Sequence, residues 1–414
     1  MGLEKAIQAA LDEIAKRYDI VFTKNEIDQK FKELIETLSA QHGPVVVLID
    51  EYDKPIIDYL GTDTESAIKN RDILKSFYSI LKDADPHLKL VFITGVSKFS
   101  RVSIFSDLNN LTDLTTEADF AAICGISQEE LERDFTEELA IFDKQQIKKW
   151  YNGYSWAGDV RVYNPFSLLH FFRGKEFKNY WFETGTPTFL INLAKKEQLY
   201  DFEQVKMPLS ALGAYDLERL QIVPLMFQTG YLTIKNYIKE DDLYELGYPN
   251  EEVRKSFLSF LADAYTNQNE PNIVLATELR NALKVANIPK VESIINTVFK
   301  SIPYEIWQRE NEHYYHAIIH LTFRLLGIYI ESQVQTSDGR IDALVQTPNY
   351  VYAFEFKLDG SASEALQQVK DKGYLVPYFH QGNAERRPQC IGIGVNFSTE
   401  TKKVQALLWE EIGS

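Results

Sequence analysis

The chain has 414 residues, 45% of them hydrophobic, with 44 Lys and Arg against 60 Asp and Glu and a formal net charge of −16. At ~150 residues per domain this length predicts two or three domains, and the acidic balance argues against broad affinity for phosphate backbones, which reward clustered Lys and Arg. Two cysteines, Cys124 and Cys390, are too few for a disulfide framework and lack metal-ligand spacing. With no apolar run of ~20 residues and no basic-then-apolar leader, neither a membrane span nor a secretory signal is expected, and the expected compartment is the cytoplasm.

Leu3 to Asp19 reads as a helix. Pro44-Val45-Val46-Val47-Leu48-Ile49-Asp50-Glu51-Tyr52-Asp53 is a continuous apolar run ending in carboxylates. A buried parallel strand that delivers acidic groups to the carboxyl edge of a sheet has this pattern. Leu88 to Gly95 is a second such run, expected beside the first with Thr94 at the same edge. Trp150-Tyr151-Asn152-Gly153-Tyr154, Tyr163-Asn164-Pro165-Phe166-Ser167 and Tyr180-Trp181-Phe182-Glu183-Thr184-Gly185 show no chemistry and are expected to pack. From Gln145 to about Lys300 the pattern is mostly helical, with a hairpin-like insertion between Leu225 and Asn250. This looks like a small winged-helix or lid module, and its acidic turn Lys239-Glu240-Asp241-Asp242 speaks for a linking role. His316 and His320, four apart with His313 nearby, have a spacing that can hold a metal. No Glu stands between them in the protease pattern, so they read as core or hairpin-facing histidines.

The C-terminal region is the most informative. Tyr304 to Leu326 has helical character. Gly339-Arg340-Ile341-Asp342-Ala343-Leu344-Val345 and Tyr350-Val351-Tyr352-Ala353-Phe354-Glu355-Phe356-Lys357 are rich in β-branched and aromatic residues and are separated by Thr347-Pro348-Asn349, so a hairpin is expected. Residues two apart share a strand face, which puts Glu355 and Lys357 together and Phe354 and Phe356 opposite. Two strand-end carboxylates can hold Mg²⁺ or Mn²⁺ through oxygen while a lysine orients water or stabilises charge on a phosphate. Asp342, Glu355 and Lys357 are therefore the candidate catalytic set. A solvated cross-strand charge pattern is the bland alternative. Ser363 to Leu375 is expected to be helical. From 301 to 414 there are 10 Lys and Arg against 14 Asp and Glu, so most of the acidic excess lies upstream. Arg340, Lys370, Lys372, Arg386 and Arg387 could form a local phosphate-facing patch, though each singly reads as a solvated surface charge.

Asp342 followed by Glu355-Phe356-Lys357 resembles the signature of the PD-(D/E)XK nuclease superfamily, and Gln368-Val369-Lys370-Asp371-Lys372-Gly373-Tyr374 looks like its glutamine-bearing helix. The resemblance implies Asp342 and Glu355 as metal ligands, Lys357 and Gln368 as catalytic partners and Tyr374 as support. It also implies a further acidic ligand from the preceding helix. Glu312 is the choice, with Glu310 and Glu331 as rivals. Leu48 to Pro55, Thr94 to Ser100 and Trp150 to Tyr154 resemble the AAA-ATPase-like proteins, in which a P-loop domain is commonly joined to such a nuclease domain. That resemblance makes Asp50 the Mg²⁺ ligand of a Walker B strand, Glu51 the residue that polarises water and Thr94 a sensor.

The sequence departs from that family because it contains no Gly-x-x-x-x-Gly-Lys-Ser/Thr. Backbone N–H groups and the lysine of that loop supply most of the anion recognition. ATP is therefore expected only if a missing segment supplies the loop. Leu3 to Asp19 looks like the helix that follows it, so the chain either lost an N-terminal segment or is a natural short variant with a degenerate first domain. If the segment is missing, the sheet should have an unsatisfied edge, which predicts self-association or poor solubility. The expected α/β architecture is an incomplete P-loop NTPase-like parallel-sheet domain over 1–140, a helical or winged-helix-like lid and linker over 141–300, and a restriction-endonuclease-like domain over 301–414. The expected activity is Mg²⁺-dependent hydrolysis of a nucleic acid. The competing readings are a non-catalytic interaction protein and an ATP-binding regulator.

Overall fold

The computed structural model describes residues 2–96, 104–105, 108, 110–157, 159–184, 188–197, 199–212, 220–265, 272–300, 318, 320–324, 330–331, 335–336, 339–340, 342–380, 387–398, 400–401 and 403–413. It divides into two compact units, Met1–Leu190 with Phe202–Arg254, and Ile191–Asp201 with Lys255–Ser414.

In the first unit, helices Leu3–Arg17, Ile27–His42 and Thr64–Asp83 accompany β1 (Val45–Ile49) and β2 (Leu88–Ile93), which pair in parallel. Asp63 caps the third helix, accepting from the Ser66 N–H at 3.0 Å. That helix buries Leu74, Phe77, Tyr78, Ile80 and Leu81, with Phe77 stacked on Phe31 at 4.6 Å. The two strands differ from the expectation of burial on both faces. Val46, Leu48, Leu90 and Phe92 are 46, 71, 52 and 38% exposed. Register sets Val46 beside Leu90 and Leu48 beside Phe92, so the four form one apolar patch. Val47 on the opposite face is buried. The continuous apolar run arises because one face is packed and the other is apolar but open.

Further along this unit, β3 (Asn152–Tyr154) pairs antiparallel with β4 (Val162–Tyr163). The strands β5 (Val205–Met207), β6 (Thr233–Ile238) and β7 (Leu243–Gly247) form a sheet in the order β5-β7-β6. The β6–β7 hairpin lies between helices Ile222–Gln228 and Glu251–Tyr265, as the sequence predicts. Tyr151, Tyr163, Leu168, Phe171 and Tyr180 share one core, and the Tyr151 hydroxyl donates to the Lys178 carbonyl at 3.1 Å. The aromatic segments expected to pack do so.

The second unit contains helices Asn272–Lys284 and Ile288–Lys300 and the strands β8 (Ile330–Glu331), β9 (Gln335–Thr336), β10 (Gly339–Arg340), β11 (Ala343–Gln346), β12 (Tyr350–Leu358), β13 (Gln389–Ser398) and β14 (Lys403–Glu411). β9 and β10 pair with each other. The main sheet runs β14-β13-β12-β11-β8. β12 and β13 are parallel, joined through the helix Ala362–Asp371, and the other pairings are antiparallel. The sheet is fixed to the helices by the Tyr352 hydroxyl, which donates to the Leu283 carbonyl at 2.7 Å, and by Asn296, which accepts from the Val404 N–H at 2.8 Å. His320 is 7% exposed and packs edge-on to Tyr200. Burial holds its pKa down at about 4, against the pull of Asp201. This is a core histidine. His313 and His316 lie outside the described residues.

Candidate active site

The expected hairpin is present, with Ala343 opposite Phe354 and Gln346 opposite Val351. Alternation along β12 divides its side chains as the sequence predicts. Phe354 and Phe356 form an aromatic layer with Phe323 and Phe397, while Glu355 and Lys357 approach each other on the other face at 3.5 Å. The solvated-charge alternative does not hold for Glu355, which is 4% exposed.

Around that carboxylate the groups form a connected network. The Gln368 side chain donates through Nε2 to Glu355 Oε1 at 2.5 Å and accepts from Lys357 Nζ at 2.7 Å. Asp342 Oδ2 accepts from the Phe356 N–H at 2.9 Å, which fixes the loop before β11 against β12. Burial, then the nearby Asp342 charge, raises the Glu355 pKa to about 7, although Lys357 opposes the shift. Burial also raises the Tyr374 pKa, and Gln368, Glu355 and Asp342 all act on that phenol. The other Glu355 oxygen, Oε2, is buried without a hydrogen-bond partner. Leaving such an oxygen unsatisfied costs about 1–3 kcal/mol or more for a charged group. A hard divalent cation is a chemically suitable partner for it.

Asp342, Glu355, Lys357 and Gln368 are thus brought together. Among the described residues, no group of three or more His, Cys, Asp or Glu is placed to hold a metal ion. Glu312 and Glu310 lie outside the described residues. Glu331 is paired through its backbone with Leu344, and its side chain lies outside them too. Of the expected basic patch, Lys370 is bonded to Glu410 at 2.5 Å, Arg387 is exposed, and Arg386 is outside the described residues.

At the other end of the chain, Asp50 and Thr94 meet just beyond the ends of β1 and β2, where the Thr94 hydroxyl donates to Asp50 Oδ1. The ladder continues to Thr94, whose N–H donates to the Ile49 carbonyl at 2.8 Å. Glu51 adopts the left-handed region at φ 50° and is exposed, as is Asp50. The carboxylate buried here is Asp53, 0% exposed, which accepts from the Val96 N–H at 3.1 Å.

Residues 1–105 match a family model described as a predicted AAA-ATPase, and residues 310–406 match one described as the PD-(D/E)XK nuclease superfamily. A protein of Azotobacter chroococcum mcd 1, described as an uncharacterized protein in the vnfD 5′ region, is 39% identical over 406 residues, covering 95% of this chain and 77% of that protein. The chain belongs to the AAA-ATPase-like proteins that carry a PD-(D/E)XK nuclease superfamily domain. No solved structure matches it.

Within the PD-(D/E)XK domain, two residues that the sequence reading passed over shape the site. Gly394 neighbours Glu355 in the parallel ladder. A Cβ there would stand 2.2 Å from the Ala362 carbonyl and 2.4 Å from the Leu366 nitrogen. The missing side chain lets the helix Ala362–Asp371 approach the sheet on the Glu355 face, and Gln368 rides on that helix. Ser361 caps the helix, and Ala362, Ala365, Leu366 and Val369 form its buried stripe. The available signal was Gly392-Ile393-Gly394 inside an apolar strand, a pattern that marks close approach by another backbone. Asn396, two residues on, is the second.

Proposed function

We propose that the PD-(D/E)XK domain hydrolyses phosphodiester bonds in nucleic acid with the help of Mg²⁺ or Mn²⁺. The observation that supports this best is the buried Glu355 carboxylate beside Asp342 and Lys357, whose Oε2 has no well-formed hydrogen bond and feels the Asp342 N–H only weakly. Asp342 and Glu355 would hold the ion, with Glu312 as the nominated third carboxylate. When bound, the ion supplies Lewis acidity and a more acidic water. Lys357 orients the attacking water or stabilises charge developing on the phosphate. Gln368 bridges Lys357 and Glu355 Oε1, which leaves Oε2 as the oxygen that would face the ion.

Asp50, Glu51 and Thr94 retain a strand-end arrangement suited to Mg²⁺ and water, yet the phosphate-cradling loop is not in the sequence. ATP would bind only where another segment brings that loop. Three domains are proposed along the chain, over 1–140, 141–300 and 301–414. Self-association is proposed through the exposed edges of the two-stranded β1–β2 sheet, with the open apolar face beside them adding to the contact.

The test is cleavage of single- and double-stranded DNA and RNA with Mg²⁺ or Mn²⁺ by wild type, Glu355→Ala and Lys357→Ala. Cleavage by wild type that both substitutions abolish supports the proposal and names the substrate class. Equal background in all three, with folding intact, favours a non-catalytic interaction protein.

A further inference from the structure

Asn396 is 2% exposed on β13 and lies next to Lys357 in the parallel ladder. Its Oδ1 accepts from the Gly360 N–H at 2.9 Å, and its Nδ2 donates to Gln405 Oε1 at 2.7 Å. Gly360 sits in the turn between Lys357 and Ser361, the cap of the helix that carries Gln368. The turn is tight. Asp359 has φ 50° and donates its N–H to the Phe397 carbonyl at 2.7 Å. A Cβ at Gly360 would stand 3.1 Å from the Lys357 Cβ, so the turn packs directly on the stem of the lysine.

Gln405 owes its position to an irregularity. The β13–β14 register jumps between Asn396, opposite Ala406, and Phe397, opposite Val404. Gln405 is therefore the extra residue of a β-bulge, a device that re-aims a side chain and recurs beside active sites. Here the bulge residue holds the Asn396 amide, whose orientation presents Oδ1 to Gly360.

We infer that Asn396, oriented by the bulge residue Gln405, is a positioning residue that clamps the Gly360 turn and so sets Lys357 and Gln368 relative to Glu355. This rests on the nuclease reading of the same site. Asn396 touches neither Glu355 nor the proposed metal ligands among its hydrogen bonds, so it acts through the turn. The two amide ends have separable jobs. Oδ1 makes the clamp, and Nδ2 only anchors it.

Asn396→Asp keeps an acceptor for Gly360, whereas Asn396→Leu removes both bonds. Hydrogen exchange of the segment around Gly360 and steady-state cleavage are measured on wild type and both variants. The expected result is faster exchange in the Leu variant, with kcat down by about 10-fold or more, the range for residues that orient an active-site group. KM for the nucleic acid should stay within about 3-fold, because substrate contacts are untouched. The Asp variant should recover most of the exchange protection and kcat. Fast exchange with unchanged kcat in the Leu variant would overturn the positioning role, as would an Asp variant no better than Leu. A wild type that does not cleave, with the exchange pattern as expected, would leave the clamp real and sink the nuclease reading together with its positioning role.

Discussion

The two acidic strand ends of this chain look alike in sequence and differ in surroundings. Asp50 and Glu51 follow β1 into solvent, with Thr94 as the hydroxyl partner of Asp50. Glu355 is enclosed between strand and helix, with one oxygen held by Gln368 and the other unpaired. Solvent satisfies an exposed carboxylate at little cost. A buried one with an open oxygen stores a demand for a ligand or a proton. The difference shows that an apolar strand ending in acid is only a beginning, and that burial on the acidic face decides whether the carboxylate is poised for chemistry.

The comparison breaks most sharply on activity. Glu355→Ala and Lys357→Ala should each lower metal-dependent cleavage by about 100-fold or more, the scale of losing a group that acts on the reacting proton or charge. Asp50→Ala should leave cleavage within about 2-fold in the same assay. A comparable loss from Asp50→Ala would mean that the exposed site serves the reaction too. Gln368→Ala should cost about 10-fold, because it removes the amide that ties Lys357 to Glu355.

A pH series sharpens the contrast further. Buried Glu355 titrates near 7 and must lose its proton to ligate, so divalent-metal affinity should climb between pH 6 and 8. A second buried carboxylate, Glu252, gives a control away from the proposed chemistry. It is 0% exposed, accepts from the Trp181 N–H at 2.9 Å, and burial raises its pKa to about 7 from 4.5. With a folded pKa above the unfolded one, its contribution is complete below about pH 4.5 and is lost as pH rises through about 7. The total is about 3 kcal/mol by linkage. Glu252→Gln should flatten that part of the stability curve in denaturant titrations from pH 5 to 8, and an unchanged slope would contradict the burial argument.

The smallest effects belong to the open sheet. Leu48→Lys should reduce self-association in light scattering without loss of cleavage, and a monodisperse wild-type monomer would remove the case for a docking patch. Thr94→Ala should cost no more than about 1 kcal/mol, as one exposed hydrogen bond is lost.

Much of the candidate site was legible because strand alternation is strict. Once Tyr350 to Lys357 is read as a strand, Glu355, Lys357 and the opposing phenylalanines are sorted by period two alone. The enclosure was less legible. It depends on Gly394, where absence of a side chain admits the Gln368 helix, and on the bulge at Gln405, which periodicity does not encode. The open face of β1 and β2 was misread because Val46 and Leu48 are as apolar as Val47, and composition does not report which face is covered. Asp53, the buried carboxylate of that region, was hidden behind the more conspicuous Asp50 and Glu51.

The most direct measurement is calorimetric titration of Mn²⁺ into wild type and Glu355→Gln near pH 8, above the Glu355 titration and with matched folding by circular dichroism. Binding by wild type that weakens at least about 10-fold in the variant would establish the Glu355 carboxylate as a metal ligand. Identical isotherms, or no binding to either protein, would contradict the account at its centre.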